Sequence, residues 1–138
     1  MPRNGLRRLV LFFPVLAASL VTAAWRPVDP PKPGKVVTVR MVDFSPTKYR
    51  FEPAAIRAAS GDTIRFVQTG VMPHNVDFRT LPGGVKLGAA TSGPYLVKKG
   101  QTYDLVIDDR FVTGEYAFVC APHVALGMKG QITITSGQ

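Results

Sequence analysis

The chain is expected to be all-β, a sandwich of two sheets, and three observations carry that expectation. Short apolar–polar alternations with a period of two recur along it, Gly- and Pro-rich turn signals separate them, and no long segment sustains a helical period. Residues 35–42 alternate around Val37, Val39 and Met41 and read as the first strand. Tyr49-Arg50-Phe51 is a short extended piece limited by Pro53. Residues 56–58 lead through the turn Ser60-Gly61-Asp62 into a strand over residues 63–68, in which Ile64 and Phe66 face one way and Arg65 and Val67 the other. Further strands are expected over residues 74–78, 95–97, 101–107, 116–120 and 129–135. The punctuation between them is Leu81-Pro82-Gly83-Gly84, Ser92-Gly93-Pro94, Lys99-Gly100 and Thr113-Gly114. Residues 54–59 have room for one turn of helix at most, and there is no internal repeat.

The organisation ahead of these strands is that of an exported chain. Arg3, Arg7 and Arg8 precede an apolar run over residues 9–21, and the small residues Thr22, Ala23 and Ala24 follow. A basic head, a short apolar middle and a small-residue exit are the parts of a signal peptide, expected over residues 1–24 with cleavage after Ala23 or Ala24. The alternative is a retained membrane anchor. The run is shorter than the roughly 20 residues of a spanning helix, and Pro14 interrupts it, so stable membrane insertion is expected only if the segment is kept. Pro27, Pro30, Pro31 and Pro33 make residues 25–34 an extended tether. One domain remains, residues 35–138.

Charge excludes one class of function. The formal net charge of +8 falls to +5 without residues 1–24, because 14 basic residues then face 9 acidic ones. These are scattered rather than clustered, and no recognition module accompanies them, so nucleic acid is not an expected partner. Cysteine usage points the other way. Cys120 is the single cysteine of a chain bound for an oxidising compartment, so it has no internal disulfide partner. An idle thiol is a liability there, which favours a ligand.

The segment around that cysteine reads Gly114-Glu115-Tyr116-Ala117-Phe118-Val119-Cys120-Ala121-Pro122-His123-Val124-Ala125-Leu126-Gly127-Met128. With period two, Tyr116, Phe118 and Cys120 share a face, and the thiol ends a row of core aromatics. His123 follows three positions later and Met128 five after that, so one tight loop can turn all three toward a point. His74, the other histidine of the chain, comes from the remote segment Val71-Met72-Pro73-His74-Asn75-Val76-Asp77-Phe78. Singly, each has an ordinary reading: Cys120 a small buried hydrophobe, the histidines core-edge residues, Met128 a core filler. Together they are a metal-type cluster, because both histidines follow a proline and one lies three residues from the lone cysteine.

The donor types name the metal. A thiolate, a thioether and two imidazoles without a carboxylate form the His2Cys set with a weak axial Met, the set of a type 1 (blue) copper ion. Zinc rarely takes Met, and an iron–sulfur cluster asks for more cysteines. Four protein ligands, His74, Cys120, His123 and Met128, leave no position open for substrate, so a single-electron carrier is expected and not an enzyme. Met72, beside His74, is a competitor for Met128, but Gly127 helps the Met128 loop turn inward.

Supporting residues follow the same logic. A backbone carbonyl is expected to accept the second ring nitrogen of His74. Asn75 is a candidate tie between the His74 segment and the cysteine loop, or else an Asn chosen for its turn. Pro122 has no N–H and limits donors near the sulfur. Val124, Ala125, Leu126 and Gly127 are expected to form an apolar rim, serving as an electron route and docking patch or simply as a shield.

The segments MPHNVDF and YAFVCAPHVALGMKGQITI, with FEPAAIRAASGDTIRF, resemble the cupredoxin family and within it the plastocyanin-like group, over about residues 36–135. The resemblance implies a Greek-key β-sandwich with copper at one end, diffusible electron transfer, and His123 as the exposed ligand facing redox partners. Departures lie in residues 83–93 and in the Pro-rich tether. The expected setting is the periplasm or another extracytoplasmic space, with a monomer exchanging electrons with redox proteins such as c-type cytochromes or copper oxidases. The alternative is a copper-binding or delivery module without electron-transfer duty.

Overall fold

A computed structural model describes residues 34–136. The expected export segment, and the tether apart from Gly34, lie outside the described residues. Among the described residues eight strands form: β1 Val36–Ser45, β2 Lys48–Glu52, β3 Ala55–Ala59, β4 Thr63–Gln68, β5 Asp77–Thr80, β6 Thr102–Val106, β7 Gly114–Val119 and β8 Lys129–Thr135. They are divided between two four-stranded sheets, β2-β1-β4-β6 and β3-β8-β7-β5. Each sheet contains one parallel pair, β1 with β4 and β3 with β8, among antiparallel neighbours.

The alternation read from the sequence selects the buried faces. Val39 and Met41 of β1, Phe51 of β2 and Ile64 and Phe66 of β4 turn inward from the first sheet, while Arg40, Arg50 and Arg65 point to solvent. Ile56, Phe78, Tyr116, Phe118, Ile132 and Ile134 do the same from the second. Phe51, Phe66, Phe78 and Phe118 meet edge to face or tilted at the centre, with centroids 4.8–6.1 Å apart. Tyr116 is fully buried, and its hydroxyl donates to the Val112 carbonyl at 2.9 Å. A tyrosine tying back to the backbone just upstream is a mark of Greek-key sandwiches.

Two strand expectations need correction. Residues 95–97 do not form a strand; Leu96 makes an isolated bridge to His74. Residues 74–76 also fall outside β5, which starts at Asp77. Both segments are occupied in holding the histidine loop, so neither continues a ladder. Past Cys120 the chain takes a 3-10 turn, Ala121–Leu126, and a second such turn covers Gly88–Thr91.

The Ser60-Gly61-Asp62 turn is held by its aspartate. Gly61 takes φ +89°, and Asp62 accepts the N–H of Lys35 and of Ala59, each at 2.9 Å. Burial alone would raise the Asp62 pKa, but these two N–H donors and the Lys35 ammonium outweigh it and hold the carboxyl below its usual value. A carboxyl lowered on folding stabilises above its unfolded pKa, and that stabilisation is lost as pH falls through the folded value. Asp62→Ala is therefore expected to cost about 1–3 kcal/mol at neutral pH. The gap from the parent should narrow below about pH 4. Urea melts at pH 7 and pH 3 check both, and an equal gap at the two would refute the carboxylate's part.

Candidate metal centre

The row of inward residues on β7 delivers Cys120 to the end of its strand, fully buried and following Tyr116 and Phe118. What comes next is laced to it by backbone. The N–H of His123 bonds the Cys120 carbonyl at 3.1 Å, the N–H of Met128 bonds the His123 carbonyl at 3.2 Å, and the N–H of Cys120 bonds the Met128 carbonyl at 3.1 Å. Pro122 stands at the start of the 3-10 turn, where its missing N–H costs nothing. Gly127 closes the turn at φ +85°, a conformation that would strain a residue with a side chain. This turn lets β8 begin one residue after Met128.

His74 comes from the segment leading into β5, the neighbour of β7 in the same sheet, and is pinned as firmly. Its N–H and carbonyl pair with Leu96 at 3.1 and 2.8 Å. Gln68, fully buried at the end of β4, gives its side-chain amide to the carbonyls of Met72 and Leu96 and accepts the Gly70 N–H at 3.1 Å. Thr69 adds a hydroxyl bond to the Met41 carbonyl at 2.6 Å. The side-chain oxygen of Asn75 accepts the Ala121 N–H at 2.8 Å, joining the histidine segment to the cysteine loop. Asn75 is thus the tie between them.

The three donor atoms converge. His74 Nδ1 and His123 Nδ1 lie 3.5 and 3.4 Å from the Cys120 sulfur and 3.1 Å from each other. A point equidistant from atoms so spaced is about 2 Å from each, the length of a metal–imidazole bond. Met128 is fully buried, whereas Met72 is 41 % exposed. Burial pushes the Cys120 thiol up, with the backbone N–H groups of Asn75 and His123 opposing it. Burial, helped by the neighbouring His74, lowers His123 below the ordinary imidazole value. The donors are dry, soft or intermediate, and free of carboxylate, which fits copper better than a hard ion.

Two neighbours of the site escaped sequence reasoning. The second nitrogen of His74, Nε2, meets the Asp43 carboxylate at 2.6 Å and not the backbone carbonyl that was expected. Burial alone would raise the Asp43 pKa, but N–H donors from Met72 and Val71, together with His74, hold it below the usual range. Asp43 lies 31 residues before His74, and no local spacing signals the contact. Tyr49 stacks on His123 with centroids 4.0 Å apart and planes 19° from parallel. The alternation of Tyr49-Arg50-Phe51 turned its ring inward but did not name what it would cover. His123 is accordingly only 6 % exposed, a correction to the exposed ligand that the resemblance implied. The apolar surface nearby in sequence belongs to Leu126, Val71 and Met72, all exposed.

A two-sheet sandwich carrying a buried His–Cys–His cluster at the end of its strands is the architecture of a blue copper protein. Residues 38–135 match the model of the copper-binding plastocyanin/azurin family, and the chain belongs to that family. Plastocyanin of Prochlorothrix hollandica is 32 % identical over 125 residues, covering 89 % of this chain and 92 % of that protein. Plastocyanin A/B of Petroselinum crispum is 34 % identical over 86 residues, 61 % of this chain and 86 % of the relative. Among solved structures, a mutant fern plastocyanin superposes with TM-score 0.60 at 26 % identity, over 72 % of this chain and all of that one. A mutant amicyanin in its oxidised form gives 0.54 at 29 %, over 72 % and 81 %. The chain is a plastocyanin-like type 1 copper protein, an electron carrier and not an enzyme.

Proposed function

We propose that His74, Cys120, His123 and Met128 hold one copper ion, and that the protein passes single electrons between redox proteins of an extracytoplasmic space. The observation that carries His74, Cys120 and His123 is the triangle of Cys120 sulfur and two Nδ1 atoms with sides of 3.1–3.5 Å, and burial beside the Cys120 backbone supports Met128. Copper supplies a one-electron couple, Cu(I)/Cu(II), at such a site.

The chain's own residues make that couple usable. Cys120 offers a thiolate once its proton leaves, and the two imidazoles offer Nδ1 lone pairs already aimed at one point. Backbone bonds among Cys120, His123 and Met128, and the Asn75 tie to Ala121, hold the donors still as charge changes. His74, Cys120 and Met128 are wholly shielded from water, which leaves no place for a substrate. The same enclosure supports a carrier over a delivery module, which would need labile, exposed donors. Partners of the chemistry of c-type cytochromes or copper oxidases suit the expected export of the chain, with a monomer meeting them transiently.

Adding Cu(II) to the purified chain is expected to produce an intense thiolate-to-copper absorption band and small copper hyperfine splitting in electron spin resonance. A pale, ordinary Cu(II) spectrum would reject the ligand set. Reversible voltammetry with the ion retained distinguishes a carrier from a delivery module. Met128→Gln is expected to keep the band and shift the reduction potential, because the weak thioether donor would tune the couple without creating the colour. An unchanged potential would remove Met128 from the set.

A further inference from the structure

We propose that Asp43 is the positioning residue of His74, and that its negative charge holds down the reduction potential of the centre. The inference rests on the ligand reading above for its electrochemical part. Its structural part stands on the metal-free chain.

Asp43 lies where the β1–β2 register shifts, between Asp43 and Ser45, and it reaches across to the loop before His74. One carboxylate oxygen, Oδ1, is 2.6 Å from His74 Nε2. The other, Oδ2, accepts the N–H groups of Val71 and Met72 at 2.7 and 3.0 Å. Both oxygens are therefore engaged, and the plane of the carboxylate is set by the backbone it binds. Gly70 makes the approach possible, since a Cβ at that position would lie 2.2 Å from Asp43 Cγ. The Asp43 side chain is 17 % exposed, and among the described residues its ion-pair partner is His74, with no lysine or arginine to neutralise it.

Two consequences follow for His74. Because Nδ1 faces the Cys120 sulfur and His123, its lone pair must stay free, and the ring proton belongs on Nε2. The carboxylate accepts that proton's hydrogen bond and locks both tautomer and ring orientation. A backbone carbonyl would do the same. What a carboxylate adds is charge, which makes the imidazole a stronger donor and favours the more positive, oxidised ion over the reduced one.

The test pairs electrochemistry with a measurement that needs no copper. Asp43→Asn removes the charge and leaves one acceptor oxygen, for Nε2 or for the Val71 and Met72 N–H groups but not for both. The copper-loaded variant is expected to keep its intense band while binding Cu(II) about tenfold more weakly. If Cu(I) binding is unchanged, the potential rises by about 59 mV. A variant that melts at a lower temperature but shows the parent's potential would reduce Asp43 to a loop clamp and overturn the proposal. Nitrogen-resolved NMR of the metal-free parent covers the case in which the variant fails to fold. The His74 proton is expected on Nε2, exchanging slowly with solvent, and a proton on Nδ1 overturns the positioning role. Absence of the thiolate band from the parent itself would instead indict the ligand set, leaving the NMR result to decide Asp43.

Discussion

Cys120→Ser is expected to abolish the intense visible absorption of the copper-loaded protein while leaving the sandwich folded. The colour needs a polarisable sulfur anion bonded to copper, and a serine hydroxyl supplies neither the anion nor the soft donor at neutral pH. The site is fully buried, so the exchange keeps nearly the same volume. Its backbone bonds, from the Cys120 N–H to Met128 and from the His123 N–H to the Cys120 carbonyl, do not involve the side chain. Optical spectra and circular dichroism measured side by side separate the two effects. Survival of the band in the serine variant would show that the thiol is not bonded to the metal.

Phe118→Ala is expected to produce the largest loss of stability among single truncations of the core. The Phe118 ring lies 4.8 Å from Phe51 and 5.6 Å from Phe66 across the sandwich, and 5.9 Å from Phe78 within its own sheet. It also covers Gly130 on β8, where a Cβ would come within 2.3 Å of the ring. Removing a fully buried phenyl group costs about 3–5 kcal/mol, because the surrounding rings close only part of the cavity. For a domain of this size that is a fall in melting temperature of at least about 10 °C. Calorimetry on metal-free protein measures it without the stabilisation that metal binding adds. A fall of only a degree or two would mean that the two sheets are not held together at this ring.

The fold was legible wherever one residue predicts its neighbour but one. Val39 and Met41, Ile64 and Phe66, and Tyr116 and Phe118 all face the core as the period of two requires. It was illegible where backbone groups serve the site in place of a ladder: residues 95–97 looked like a strand and became the anchor of His74. The candidate donors were legible for a chemical reason. Cysteine, histidine and methionine are scarce enough here, and close enough between residues 120 and 128, that one turn of chain explains their spacing.

The surroundings of those donors were another matter. Asp43 and Tyr49 are an ordinary strand carboxylate and an ordinary alternating aromatic until β1 and β2 are laid beside the histidine segments. Asn75 could be suspected, but its partner Ala121, 46 residues away, is set only once β5 is laid beside β7 in register. The amino-acid order alone determined which stretches extend, which faces turn inward and which side chains offer soft electrons, because these depend on neighbours along the chain. The tertiary structure alone decided that a carboxylate backs His74 and that an aromatic ring covers His123. Those contacts depend on register between strands distant in sequence, and shifting a strand by one residue would turn each of those side chains to the opposite face.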